Sequence, residues 1–245
     1  MTPAPASGAA PVLGRDGSLP QGDEKRRAVD DMFDRVAPRY DRMNRVISLG
    51  LDRRWRRRTV ASLGLPTGAR VLDLACGTGD LSRDLADAGY VPVGLDRSDG
   101  MLAAARTRAP LVRGDGETLP FPDGSLDGVV CGFALRNFVG LATVLGECAR
   151  VLRAGGALAA LDAAVPEHML LRAGNAVWFR GAVPLLGRLL AHNADAYRYL
   201  PRSTAYLPAP AVLLGMVRDA GFASAVRVTM TGGSVQLLTG VKAAR

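Results

Sequence analysis

Residues 71–80 read VLDLACGTGD, and residues 91–96 read VPVGLD. The apolar run 71–75 suits a buried parallel strand. It ends in the turn Gly77-Thr78-Gly79 and leads into a helix-like stretch, DLSRDLADAG. Two glycines at a strand–helix turn let a ligand approach the backbone closely, and the N–H groups that open the helix favour an anionic group. Asp96 closes the next apolar run, at the tip of a neighbouring strand, where a carboxylate can accept both hydroxyls of a ribose. The pair predicts a nucleoside-containing cofactor.

Outward from this pair the pattern alternates. Strands are expected at 70–75, 91–95, 111–114, 127–133 and 156–162, and helices at 80–88, 98–108 and 140–152, with Gly155-Gly156 marking a turn before the fifth strand. Such alternation implies a Rossmann-like α/β fold with a parallel sheet covered on both faces. A helix at 209–220 and strand-like runs at 222–230 and 234–241 read as an antiparallel finish. Residues 1–22, rich in Pro, Ala, Gly and Ser, are expected to be a disordered tail. The rest, 23–245, reads as one domain: a helical element 23–64, a cofactor-binding core 68–162, a helical insertion 165–207 broken by Pro166, Pro184 and Pro201, and a closing segment 208–245.

Composition narrows the class. The 245 residues are 48% hydrophobic and carry a net charge of +8, almost all of it arginine, since Lys25 and Lys242 are the only lysines. A basic balance is compatible with nucleic acid, an anionic membrane surface, an anionic ligand or plain arginine bias. Cys76, Cys131 and Cys148 are odd in number and widely spaced, which fits neither a disulfide framework nor a zinc site. No carboxylate cluster with histidines suggests a metal. The N-terminus lacks a signal-peptide core and no run of 18 apolar residues exists, so a cytoplasmic location is expected.

The choice of cofactor turns on what the Gly turn lacks. A dinucleotide fingerprint needs a third glycine, but Gly79 is followed by Asp80, Leu81 and Ser82. A Walker loop needs Gly-Lys-Ser/Thr, which is absent. S-adenosylmethionine fits better. Asp73 can serve its ammonium, directly or through water, and the turn amides its carboxylate. Asp96 can take the ribose, Met101 can offer a soft face to adenine, and Asp115 can accept from the adenine amino group.

GLDRSDGML, GDGETLPFPDGSLDGVVCGFALRN and ARVLRAGGALAALD, with the opening stretch, make the chain resemble the class I S-adenosylmethionine methyltransferases. MFDRVAPRYDRMNRVISLGLDRRWRR, the FALRN segment and HNADAYRYL are similar to the quinone C-methyltransferases of ubiquinone and menaquinone biosynthesis. The resemblance runs from about Asp30 to Lys242. It implies a seven-stranded, mostly parallel sheet with a helical lid, and cofactor contacts at Thr78, Asp96, Asp115 and Gly116. It also places Gly132 where the family often has a serine near the cofactor. With Ala75, Gly77, Gly79 and Arg97 flanking these positions, the expected cofactor set is complete.

A quinol ring carbon is a poor nucleophile until an adjacent hydroxyl loses its proton, so the site needs donors at the oxyanion and a route for the proton. Arg136 and Asn137 follow the fourth strand and are the expected catalytic pair. Arg136 is too basic to act as a base and is expected to stabilise the phenolate or hold a proton-accepting water. Tyr40, Asp41 and Asn44 lie on an element that could close over the cofactor. His192, Asp195, Tyr197 and Tyr199 are candidate substrate contacts. Arg53, Arg54, Arg56, Arg57 and Arg58 surround Trp55 on the helix 52–62. That helix reads as a solvated face or as a dock for an anionic membrane, useful for a prenylated substrate, with RNA contact a weaker reading. The stretch 165–190 reads as a lid, a tunnel for a greasy tail, or both.

The resemblance weakens in places. The fifth strand of the family usually ends in Glu-Phe-Ser, here Asp162-Ala163-Ala164. The last strand usually carries a histidine and a Gly-Tyr-Lys ending, here Leu238-Thr239-Gly240-Val241-Lys242. These departures are expected to remove polar groups near the substrate. The leading expectation is C-methylation of a prenylated hydroquinone such as demethylmenaquinol. Its alternatives are C- or O-methylation of a specialised aromatic or polyketide-like molecule, methylation of RNA, or cofactor binding without transfer. No nucleic-acid partner is expected, and nothing in the sequence specifies an oligomeric state.

Overall fold

The computed structural model describes residues 18–178, Gly181, Tyr199 and residues 202–244. Seven strands form one sheet in the order β3-β2-β1-β4-β5-β7-β6. β1 (Arg70–Leu74), β2 (Val91–Asp96), β3 (Leu111–Arg113), β4 (Leu126–Gly132) and β5 (Leu152–Ala163) are parallel. β7 (Val235–Lys242) inserts antiparallel between β5 and β6 (Phe222–Met230).

Parallel strands are covered on both faces and therefore read as continuous apolar runs. β1 obeys this: Val71, Leu72 and Leu74 are all buried, with Leu72 and Leu74 in one core and Val71 in the other. The first core also takes Val129, Cys131, Leu158 and Ala160 beneath α6 (Leu141–Val151) and α8 (Pro210–Asp219). The second takes Val130, Ala157 and Ala159 with Leu81 and Leu85 of α4 (Asp80–Asp87) and Val60 of α3 (Asp52–Ala61). Asp73 points to this second face.

A further cluster lies apart from the sheet. Val29, Met32 and Val36 of α1 (Gly22–Val36) and Met43 of α2 (Tyr40–Ile47) meet Met101 of α5 (Asp99–Ala103) and Tyr199. Proline fixes φ and lacks an N–H. Accordingly α1 gives way to a 3-10 turn, Ala37–Arg39, that contains Pro38. Gly22 already belongs to α1, Leu19 packs on this cluster, and the Tyr206 hydroxyl donates to the Pro20 carbonyl. The end of the expected tail is thus held against the body, whereas residues 1–17 lie outside the described residues.

Two elements differ from expectation. The helix expected over 98–108 stops at Ala103. The chain leaves it because the Arg106 N–H donates to the Thr78 carbonyl (3.0 Å) and Thr107 packs against Gly79. β5 begins at Leu152, four residues earlier than expected, since Leu152 pairs with Leu126 before a register shift. α7 (Met169–Val177) leaves Met169 and Leu170 more than 70% exposed. Among the described residues, no helix is long and apolar enough to cross a membrane.

Candidate cofactor cleft and acceptor site

The strand order reverses between β1 and β4, and in open α/β sheets ligands bind at such a switch point, outside the carboxyl ends of the strands. A cleft opens there. Its floor is Leu74, Ala75 and Gly77 from β1 and its turn, Leu95, Asp96 and Arg97 from β2 and its end, Gly114, Asp115 and Gly116 after β3, and Gly132, Phe133, Ala134, Asn137, Phe138 and Val139 at and after the end of β4. Arg26, Val29, Asp30 and Phe33 of α1 and Tyr40 of α2 roof it.

The turn is built for close approach. Ala75 has φ 55° and Gly79 φ 82°, both in the left-handed region. A Cβ on Gly79 would lie 2.7 Å from Thr107 Cγ2. Gly77 donates its N–H to Asp96 Oδ2 (2.7 Å), and Ser98 donates to Asp96 Oδ1 (2.9 Å), so the carboxylate is fixed by two backbone donors. Burial raises the pKa of Asp96 and those donors oppose the rise. Gly132 also lines the cleft, and a Cβ there would strike Leu81 Cδ1 at 2.7 Å, so a serine would need Leu81 to move.

Asp73 is fully buried and lies behind the turn rather than in the cleft lining. Ser82 donates to its Oδ2 (2.6 Å), while Oδ1 has no partner. Burial pushes its pKa up to about 7. An orphaned carboxylate oxygen behind a glycine turn fits the ammonium end of S-adenosylmethionine, directly or through water, since buried polar groups otherwise find partners. Thr78 and Gly79 also lie outside the lining; the Thr78 hydroxyl donates to Asp41 of α2.

Asp115 lines the cleft, but much of its acceptor capacity is engaged. Oδ2 faces Arg97 (3.2 Å) and Arg26 (3.5 Å), and Oδ1 accepts from the Glu117 N–H (3.0 Å). Arg97 also pairs with Asp30 (2.6 Å), and Arg26 with Glu117 (3.0 Å). These pairs stitch α1 to the loops beneath it. Met101 both lines the cleft and is buried in the α1–α2 cluster, with its sulfur 3.9 Å from where a Cβ on Gly77 would stand. α1 supplies cleft residues that the sequence reading missed. Their signal was present, because Arg26, Asp30 and Phe33 recur at helical spacing, but spacing does not say which neighbour a face meets.

At the β4 end, Asn137 lines the cleft and Arg136 does not. The Asn137 amide donates to the Phe133 carbonyl (3.4 Å), and its Oδ1 accepts from the Tyr199 hydroxyl (3.1 Å). Burial raises the pKa of Tyr199, so it stays protonated and acts as a donor. Arg136 is turned inward: it is paired with Asp162 and donates from Nε to Ser203 (3.0 Å) and from Nη1 to the Phe133 carbonyl (2.8 Å). Arg136 was expected to stabilise the phenolate or hold a proton-accepting water; its guanidinium instead faces Asp162, outside the cleft lining. Burial beside a carboxylate draws the guanidinium to Asp162, and Asp162 is committed to Arg136 instead of facing substrate. Tyr40 lines the cleft; burial raises the pKa of its hydroxyl, and Asn44, one helical turn on, opposes the rise. Phe133, unnoticed in the sequence, lines the cleft at φ 59° with its ring edge-on to Trp55. His192, Asp195 and Tyr197 lie outside the described residues.

The arginine-rich α3 divides its charges. Arg56 is partly buried against Asp52 (2.6 Å), Asp80 (2.9 Å) and Asp84 (2.7 Å). Arg53, Arg54, Arg57 and Arg58 are exposed. Among the described residues no group of three or more His, Cys, Asp or Glu is arranged to hold a metal.

The sequence profile of the ubiE/COQ5 methyltransferase family matches residues 21–242. The demethylmenaquinone methyltransferase of Roseiflexus sp. (strain RS-1) is 40% identical over 233 residues, covering 91% of this chain and 97% of that protein. The enzyme of the same name from Mycobacterium sp. (strain KMS) is 42% identical over 224 residues, with the same coverage. Among solved structures, an S-adenosylmethionine-dependent methyltransferase from Aquifex aeolicus superposes with a TM-score of 0.55 at 16% identity, covering 76% of this chain and 88% of its own. Haemonchus contortus phosphoethanolamine N-methyltransferase 2, solved with S-adenosyl-L-methionine, gives 0.56 at 15% identity, covering 76% of this chain and 52% of its own. At such identities these two structures speak for the shared fold.

Proposed function

The chain belongs to the ubiE/COQ5 methyltransferase family and is an S-adenosylmethionine-dependent methyltransferase, and from that premise we propose that its acceptor is demethylmenaquinol, methylated at a ring carbon. The observation that carries the acceptor side is the Asn137–Tyr199 pair at the β4 end of the cleft, where the Asn137 amide also holds the Phe133 carbonyl. The names of the relatives give the substrate class. The departures at Asp162–Ala164 and Leu238–Lys242 do not weaken this reading, because none of those residues lines the cleft.

S-adenosylmethionine supplies an electrophilic methyl on a sulfonium. Asp73 holds the ammonium side, the 77–79 turn the carboxylate, Asp96 the ribose, and Met101 with the Asp115–Gly116 loop the adenine. Ala75, Thr78, Gly79, Arg97 and Gly132 shape that cradle. Tyr199 occupies Asn137 Oδ1 as a donor, and Phe133 takes one amide hydrogen of Asn137. The second amide hydrogen is left to donate to the acceptor oxygen. As the acceptor hydroxyl loses its proton, that donor favours the phenolate. With cofactor bound, the ring carbon would take the methyl as the S–CH3 bond breaks and S-adenosylhomocysteine leaves, and the ring proton would pass to water to restore aromaticity. Tyr40 and the α1 roof exclude water from the reacting centre, with Asn44 orienting Tyr40. His192, Asp195 and Tyr197 remain candidates for the acceptor wall.

Exposed Arg53, Arg54, Arg57 and Arg58 suit peripheral contact with an anionic bilayer, where a prenylated acceptor resides. The test is transfer of label from S-adenosylmethionine into demethylmenaquinol. Asp96→Ala is expected to abolish cofactor binding, and Asn137→Ala to abolish turnover while cofactor binding persists. Labelling of RNA but not of quinol contradicts the proposal.

A further inference from the structure

Asp162, next to last in β5, is fully buried, and its carboxylate holds both the backbone and the side chain of Arg136 in the turn after β4. Its Oδ2 accepts from the Arg136 N–H (3.1 Å), and its Oδ1 faces Arg136 Nη1 and accepts from the Ala163 N–H (2.7 Å). Arg136 passes the restraint on in two directions. One reaches the Phe133 carbonyl, which also receives the Asn137 amide. The other reaches Ser203, which is fully buried next to the 3-10 turn Thr204–Tyr206. Phe133 itself sits at φ 59°, a conformation that a bulky residue keeps only when its surroundings over-determine it.

We propose that Asp162 is a positioning residue for methyl transfer: through Arg136 it fixes the 133–137 turn so that the Asn137 amide faces the acceptor oxygen. This rests on the acceptor-side role proposed for Asn137. The alternative, a pair that only stabilises the fold, has little to recommend it energetically. Buried ion pairs are weak stabilisers, often replaceable by apolar residues, whereas this one acts on a segment that lines the cleft.

The test uses the full-length protein and two readouts. In wild type with S-adenosylhomocysteine, the Asn137 side-chain amide, assigned by its loss in Asn137→Asp, is expected as one sharp 15N–1H pair. In Asp162→Asn it should shift and broaden. With demethylmenaquinol, kcat should fall about 100-fold, the cost of a misplaced catalytic group, while KM and the S-adenosylhomocysteine Kd stay within about threefold. Asp162→Glu, which keeps the charge, should recover most of kcat. If Asp162→Asn does not fold, Arg136→Met/Asp162→Leu removes both charges and should show the same kcat loss and the same amide change. An unchanged Asn137 amide, an unchanged kcat, or kcat and cofactor affinity falling together would overturn the proposal. Absence of wild-type turnover on demethylmenaquinol would refute the acceptor alone, and the Asn137 amide would still decide the role of Asp162.

Discussion

Asp73→Asn is expected to make the cofactor-free protein more stable at pH 8 and less stable near pH 4.5. Asp73 is fully buried with one oxygen unpartnered, and burial pushes its pKa up to about 7. Carrying a carboxyl from near 4 to about 7 makes its ionisation about 4 kcal/mol harder, at about 1.4 kcal/mol per tenfold. Below pH 4 the group is neutral in both the folded and the unfolded chain. Between pH 4 and 7 the unfolded chain loses the proton first, so the folded state binds more protons and stability falls as pH rises. Above pH 7 the loss is complete. Asparagine does not titrate, but it buries an N–H where Oδ1 stands, at a cost of about 1–3 kcal/mol. The variant should therefore gain about 1–3 kcal/mol over wild type at pH 8 and lose up to about 2 kcal/mol near pH 4.5, where the wild type has given up only about 1 kcal/mol. Urea unfolding of both proteins across that range measures the difference and cancels the other titrating groups. A difference independent of pH, or a variant weaker than wild type at pH 8, would refute the reasoning. The same change should weaken S-adenosylhomocysteine binding at pH 8 by tenfold or more, roughly the worth of a charged hydrogen bond.

Gly79→Ala should cost at least about 1 kcal/mol from its positive φ and more from the contact with Thr107 at 2.7 Å. Thermal melts should show Thr107→Gly recovering only the steric part. Tyr199→Phe removes the donor to Asn137 Oδ1 and should lower kcat about tenfold or more, with cofactor affinity by calorimetry unchanged. Reversing Arg53, Arg54, Arg57 and Arg58 to glutamate should abolish flotation with anionic vesicles and leave S-adenosylhomocysteine binding intact. A loss of about 1 kcal/mol per charge makes that effect large, and unchanged flotation would remove the membrane proposal.

The sheet was legible because its signals are local. The apolar run 71–75, the glycine turn and Asp96 lie within 26 residues of one another, and each strand–helix unit carries its own period. The short α5 was not legible, because Thr107 and Arg106 leave the helix to meet Gly79 and Thr78, a contact across 28 residues that no period encodes. The roof was half legible. Val29 and Phe33 announced an apolar face, but Arg26 and Asp30 gave no sign that they would reach Glu117 and Arg97. Arg136 was the instructive case. Its motif drew attention to a functional segment, yet burial beside Asp162 turned its charge inward, and Asn137 with Tyr199 took the cleft. Asp162, read as a lost substrate contact, instead closes that inner pair.

The most direct test of the account is the position of the transferred methyl. The enzyme is incubated with methyl-13C S-adenosylmethionine and chemically reduced demethylmenaquinone, and the product is read by carbon NMR. The account predicts one labelled carbon in the range of a methyl on an aromatic ring, with label lost in Asn137→Ala under saturating cofactor. A labelled methoxy carbon, or full cofactor binding with no label in the quinol, would contradict it.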